Sequence, residues 1–150
     1  MSFASTWTAS RTKAESLRAN GVYTRQPSEW RLHAAAYAAR NDIDVVVHTH
    51  PTFCVVWSSE DRLFPRETVA STESLHAMKL VPFHPNGTQA LADATRDALA
   101  DGTPLALLAR HGLVAVSGEM EDAYVQTDLA EECARVAYFS VLFRKALSNT

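Results

Sequence analysis

His48 and His50 lie two residues apart at the end of an apolar run, Ile43–Thr49. Side chains at i and i+2 of a strand project to the same face, so two imidazoles at this spacing can hold one metal ion on a rigid mount. The same His-Thr-His would also serve as a plain polar strand end. His111 stands between two further apolar runs, Leu105–Ala109 and Leu113–Val116, and Gly112 lets the backbone pass closely beside it. In layered α/β folds ligands collect outside strand ends, where such histidines converge. Three histidines with one coordination position left open form the pattern of a catalytic zinc site rather than a closed structural one. On its own, His111 could equally be a turn histidine. Glu29 begins a predicted helix, and one helix, a turn and a strand return the chain from it to His48. A carboxylate beside an open metal position is a natural general acid and base. Its competing role is a helix-terminus carboxylate favoured by the macrodipole. His33, four residues after Glu29 on the same helix face, reads as packed or supporting. His76 and His84 show no partner.

The elements that must place these residues follow from periodicity. Ser28 is a plausible N-cap for a helix from Glu29 to Arg40, alanine-rich on one face, where small residues allow close approach to a sheet. Ile43–Thr49 is β-branched, as in strands buried on both faces. Pro51 to Ser58 reads as a short helix, Arg62 to Thr68 as an edge segment, and Leu80–Phe83 as a short strand. Thr88 caps a helix carrying Leu91, Ala94, Ala98 and Leu99, with Gly102 at its C′ position. The two runs around Arg110-His111-Gly112 are strands. After Ser117-Gly118 a helix runs from about Glu119 to Ala146. Its stripe of Ala123, Tyr124, Thr127, Ala130, Ala134, Ala137, Tyr138 and Val141 has helical spacing. Residues 1–20 form a weakly structured lead-in, and Gly21–Arg25 reads as a short edge strand. This alternation predicts one α/β domain over residues 1–150 built in layers.

Composition narrows the function classes. At 47% hydrophobic and 21% charged, the 150-residue chain is globular in type. The net charge of −3, without basic clusters, argues against a nucleic-acid footprint. Cys54 and Cys133 lie in apolar patterns and read as buried free thiols of a reducing compartment. No apolar run approaches the roughly 18 residues of a membrane span, so a cytoplasmic setting is expected. Trp30, Trp57 and the Tyr124/Tyr138 pair read as core or oligomer contacts.

The segments Ser28-Glu29-Trp30-Arg31-Leu32-His33, Val45-Val46-Val47-His48-Thr49-His50-Pro51 and His111-Gly112-Leu113-Val114 resemble the class II aldolase/adducin family, nearest its bacterial fuculose-phosphate aldolase branch. The resemblance spans roughly residues 21–146, including Val81-Pro82 and the helix start at Gly87-Thr88. It implies a three-layer α/β/α sandwich around a mixed, largely antiparallel sheet. It also implies a zinc (or other divalent) site on His48, His50 and His111, with Glu29 as acid/base and Ser28 on the phosphate side of the substrate. The implied partners are a small-molecule substrate and further copies of the chain, as a homotetramer with active sites at subunit interfaces. In aldolases of this family the metal binds the hydroxyl and carbonyl oxygens of dihydroxyacetone phosphate. It stabilises the enediolate formed when the glutamate removes a proton. Adducin heads lack the metal-binding histidines, which this chain keeps.

Departures from the family pattern fall on the substrate side. Family enzymes cradle phosphate with Gly-Asn-x-Ser and Thr-x-Ser-Gly loops ahead of the glutamate helix, of which Asn20-Gly21 is the nearest echo here. Val69 falls where the branch has a tyrosine, and the tail that supplies a second tyrosine is not present after the last helix. The expectation is an intact metal centre with a reduced pocket. The leading function is a zinc-dependent lyase that cleaves or forms a C–C bond in a small hydroxy-carbonyl substrate. The alternatives are a dehydratase, epimerase or decarboxylase of the family, or a non-catalytic, metal-stabilised assembly module like the adducin head. Glu29 favours the enzyme, because a purely structural role does not require a carboxylate there.

Overall fold

The computed structural model describes residues 29–149. The expectations for the lead-in, the Gly21–Arg25 strand and Ser28 fall outside these residues. In chain order the elements are α1 (Trp30–Ala39), β1 (Val45–Thr49), α2 (Thr52–Ser59), a π-helical turn (Ala70–Ser74), β2 (Met78–Val81), α3 (Gln89–Leu99), β3 (Leu105–Leu108), β4 (Gly112–Ser117) and α4 (Met120–Leu147). The strands lie in the order β1-β4-β3-β2. β4 pairs antiparallel with both β1 and β3, and β2 pairs parallel with β3. The sheet is therefore mixed and largely antiparallel, as expected.

Period-2 alternation sorts the strand side chains onto two cores. Leu105, Leu107, Leu113 and Ala115 face one side with Cys54 and Trp57 of α2 and Ala130, Cys133, Ala134 and Ala137 of α4. Ala106, Leu108, Val114 and Val116 face the other with Leu32 and Ala36 of α1 and Leu91 and Leu99 of α3. The result is a three-layer α/β/α sandwich, with α2 and α4 on one face and α1 and α3 on the other. Both cysteines are buried and free. Burial and the neighbouring Glu131 carboxylate push the Cys54 thiol far above its usual range. No helix among the described residues is long and apolar enough to cross a membrane.

Several boundaries move. β1 begins at Val45, two residues after the start of the apolar run, although the Asp44 N–H still donates to Ser117 O at 3.1 Å. β2 is Met78–Val81 rather than Leu80–Phe83, and Phe83 projects outward, 52% exposed. Arg62 to Thr68 forms no strand. The Arg66 guanidinium instead donates to the carbonyls of Ser71, Leu75 and His76, folding this stretch around the π-helical turn. Thr88 caps α3 as expected, its Oγ1 accepting from Leu91 N–H at 3.2 Å. Gly102 (φ +100°) lies one position beyond C′, with its N–H donating to Leu99 O. On α4 the buried stripe includes Gln126 and Cys133, whereas Tyr124 and Val141 point to solvent. Trp57 is core, its indole N–H donating to Ala134 O at 2.9 Å.

Candidate metal centre

Strand parity decides where His48 points. It shares a face with Val46, which packs in the α1–α3 core, so its ring lies toward the start of α1. Glu29 occupies the N-cap position of α1 but makes no capping hydrogen bond. Its carboxylate turns instead to the histidines. Oε2 lies 2.8 Å from His48 Nε2, and Oε1 lies 2.7 Å from His111 Nε2. His50, just past the end of β1, brings its Nε2 to 3.2 Å from His48 Nε2. The three imidazole centroids lie 4.9 to 5.0 Å apart. One ligand atom from each of Glu29, His48, His50 and His111 falls within 4.8 Å of all the others.

Hydrogen bonding tests whether a cation fits this cluster. His48 Nδ1 is 3.0 Å from the Leu113 carbonyl, which only accepts, so Nδ1 carries the proton. In the neutral ring Nε2 is then a bare lone pair. It faces an oxygen of Glu29 that cannot donate to it, and a His50 nitrogen that can do so in one tautomer only. Glu29 Oε1 is buried and finds no well-directed hydrogen bond among the described residues, despite the short approach of His111 Nε2. Converging acceptors of this kind leave room for a positive charge between them. Three imidazole nitrogens and a carboxylate oxygen suit zinc or a similar divalent cation.

Burial favours the neutral form of the His111 ring. Desolvation lowers the pKa of His111, with the neighbouring His48 and His50 acting in the same direction and Glu29 opposing them. His33 is also lowered, by burial first and then by His48, and its ring stands edge-on to His48 at 6.3 Å. It is therefore a supporting neighbour, as its position four residues after Glu29 suggested. His76 and His84 lie outside the cluster. Gly112 is required by close approach. A Cβ there would run into Thr49 O and come within 2.6 Å of His50 Cδ2 and 3.4 Å of His48 Cε1.

Two supports were invisible in the sequence. The Glu131 carboxylate of α4 accepts from Phe53 N–H at 2.9 Å and Cys54 N–H at 3.0 Å, placing a negative charge on the first turn of α2, just after His50 and Pro51. Glu131 and Phe53 are 78 residues apart, so no local pattern reveals the contact. The second is an ion pair between Asp61 and Arg110, beside His111. Only the tightness of the Arg110-His111-Gly112 turn hinted at a constrained residue there.

Comparison with known proteins identifies the family of the chain. Residues 8–138 match the class II aldolase and adducin N-terminal domain. An L-fuculose phosphate aldolase of Methanococcus maripaludis is 27% identical over 122 residues, 81% of this chain and 66% of that protein. A 5-deoxy-D-ribulose 1-phosphate aldolase of Bacillus thuringiensis is 30% identical over 115 residues, 76% of this chain and 54% of its own length. A solved L-fuculose 1-phosphate aldolase superposes with a TM-score of 0.70 at 26% identity, covering 77% of this chain and 54% of that one. The chain thus spans between about half and two-thirds of the length of these relatives.

Proposed function

From the premise that this chain belongs to the family of class II aldolases and adducin N-terminal domains, we propose that Glu29, His48, His50 and His111 form the centre of a divalent-metal-dependent lyase. Its substrate is a small hydroxy-carbonyl compound of the sugar or sugar-phosphate type. The observation that carries this reading is the convergence of four ligand-type atoms within 4.8 Å, one of them a carboxylate that makes no capping bond. A carboxylate kept only to stabilise a helix start would turn to the backbone N–H groups of α1. Here it turns away from them, which favours the enzyme over an assembly module.

His48, His50 and His111 would hold the cation. Zinc comes first because three imidazoles leave a position open, and the bound ion would supply Lewis-acid polarisation of the substrate's carbonyl and hydroxyl oxygens. Glu29 is the proton carrier. In the condensing direction its Oε1, buried beside His111 Nε2, accepts the proton lost from the carbon beside the carbonyl. That carbon then forms its bond to the aldehyde carbon of the second substrate, and the aldehyde oxygen takes up a proton as it becomes a hydroxyl. In cleavage that hydroxyl gives up its proton as it reverts to the aldehyde carbonyl and the C–C bond breaks, and the carboxyl group delivers a proton to the freed carbon. The Leu113 carbonyl holds His48 in the tautomer whose Nε2 faces the site.

Metal analysis joined to substrate screening tests this reading. The purified chain should carry one divalent ion and act on a hydroxy-aldehyde, hydroxy-ketone or hydroxy-acid, tested with and without phosphate. Glu29→Gln should keep the metal and lose about 10²–10⁴ in rate, the usual worth of general acid/base help. His48→Ala should lose both. A metal-free wild-type protein, or full activity in Glu29→Gln, would overturn the proposal.

A further inference from the structure

Among the described residues, Asp61 (φ 51°) and Arg110 (φ 59°) are the non-glycine positions with positive φ. They are also the two partners of one ion pair, in which Arg110 Nη2 meets Asp61 Oδ2 at 2.5 Å and Nε meets Oδ1 at 3.2 Å. Left-handed backbone suits glycine or asparagine, and arginine gains nothing from it locally. Both residues are also tied to the same backbone atom. The carbonyl of Ser58, in the last turn of α2, accepts from Asp61 N–H at 3.1 Å and from Arg110 N–H at 2.9 Å. The Arg110 guanidinium carbon lies 5.4 Å above the centre of the Phe83 ring. Four contacts thus converge on the residue immediately before His111. They fix the turn to the C-terminal end of α2, the helix whose N-terminal end follows His50 and Pro51.

Building on the metal-centre reading above, we propose that Arg110 and Asp61 are positioning residues. They latch the β3–β4 turn in its left-handed form and so hold the His111 imidazole where it meets His48, His50 and Glu29. The turn is short, since Leu108 pairs with Gly112 across it and His111 N–H donates to Leu108 O at 3.1 Å. Freedom at Arg110 therefore passes directly to the next residue. Neither the guanidinium nor the Asp61 carboxylate belongs to the cluster itself, so the pair acts through backbone geometry alone.

Arg110→Gly separates this role from a merely structural one. Glycine adopts the left-handed turn without strain, so a turn-forming role predicts unchanged or raised thermal stability and unchanged metal binding. A positioning role predicts that cobalt(II), titrated into metal-free protein and followed by its visible absorption, binds about tenfold more weakly, while the metal-free melting temperature does not fall. Asp61→Asn should weaken cobalt binding by a similar factor, and the double variant should be no weaker than either single one. Arg110→Lys, which keeps the charge, should recover part of the affinity. Unchanged affinity in both single variants, or affinity lost only in step with the melting temperature, would overturn the latch. A wild-type chain that takes up no cobalt would remove the metal-centre reading and the latch together, whereas wild-type uptake with unaffected variants removes the latch alone.

Discussion

His33 and His111 both resist protonation because burial penalises the imidazolium more than Glu29 rewards it. Their folded pKa values lie below the usual 6.5, so the unfolded chain binds protons that the folded chain refuses. The linkage sign follows: stability from these two rings is full above about pH 6.5 and is lost as pH falls through that value toward their lower folded pKa. The urea midpoint of metal-free protein should therefore decline between pH 7.5 and pH 5.5, and His33→Gln should flatten the decline. A midpoint constant over that range would contradict the account. At this scale the sequence was informative, because spacing alone put His48 and His50 on one strand face and marked His111 as a strand-end residue. It could not decide between the two roles of Glu29. That decision rests on where the carboxylate turns once α1 is packed, which is a tertiary fact.

The elements most legible in sequence were those with strong local signals. They are the Thr88 cap of α3, the β-branched run of β1, and the paired apolar runs of β3 and β4. Those that failed were set by side-chain contacts that no hydrophobic period encodes. Arg62 to Thr68 has enough apolar and β-branched residues to suggest a strand, but Arg66 gathers carbonyls from residues 71, 75 and 76 and closes the stretch into a loop. The start of β4 shows how tightly the elements constrain the centre. Gly112 opens β4 opposite Leu108 and directly against His50, so Gly112→Ala must push either the Thr49 backbone or the His50 ring aside. Overpacking of this kind costs about 1–3 kcal/mol. Calorimetric zinc titration should show at least a tenfold loss of affinity, because His50 is the more movable of the two obstacles. Wild-type affinity in Gly112→Ala would mean that the ring has slack the packing does not show.

At the scale of the whole molecule, α4 is longer than the sheet it covers. Its buried stripe ends at Ala137, and beyond it Phe139 (56%), Leu142 (44%), Phe143 (67%) and Leu147 (59%) are exposed. A shallow groove runs along the same helix, lined by Glu132, Arg135, Val136, Phe139, Ser140 and Phe143. Two turns of helix presenting that many large apolar side chains to water are costly for an isolated chain, at roughly 25 cal/mol per Å² of apolar surface, and contiguous patches of this kind mark interfaces. Closed homo-oligomers are the commonest way to cover them, and the tetramer expected from the family resemblance would do so. Spacing alone put Tyr124 and Val141 on one stripe with the buried Ala123, Ala130 and Ala137, because hydrophobic spacing cannot distinguish a residue facing the sheet from one facing outward. Sedimentation at micromolar concentration should therefore show a species several times the 16.5 kDa chain mass. Phe143→Glu places a charge at the most exposed aromatic position of the patch and should shift the protein toward monomer. The far-ultraviolet spectrum should not change, because Phe143 takes no part in either core cluster. Wild-type protein that sediments as a monomer would leave the patch without a covering partner of its own kind, and an unchanged assembly in Phe143→Glu would place the interface elsewhere on the surface.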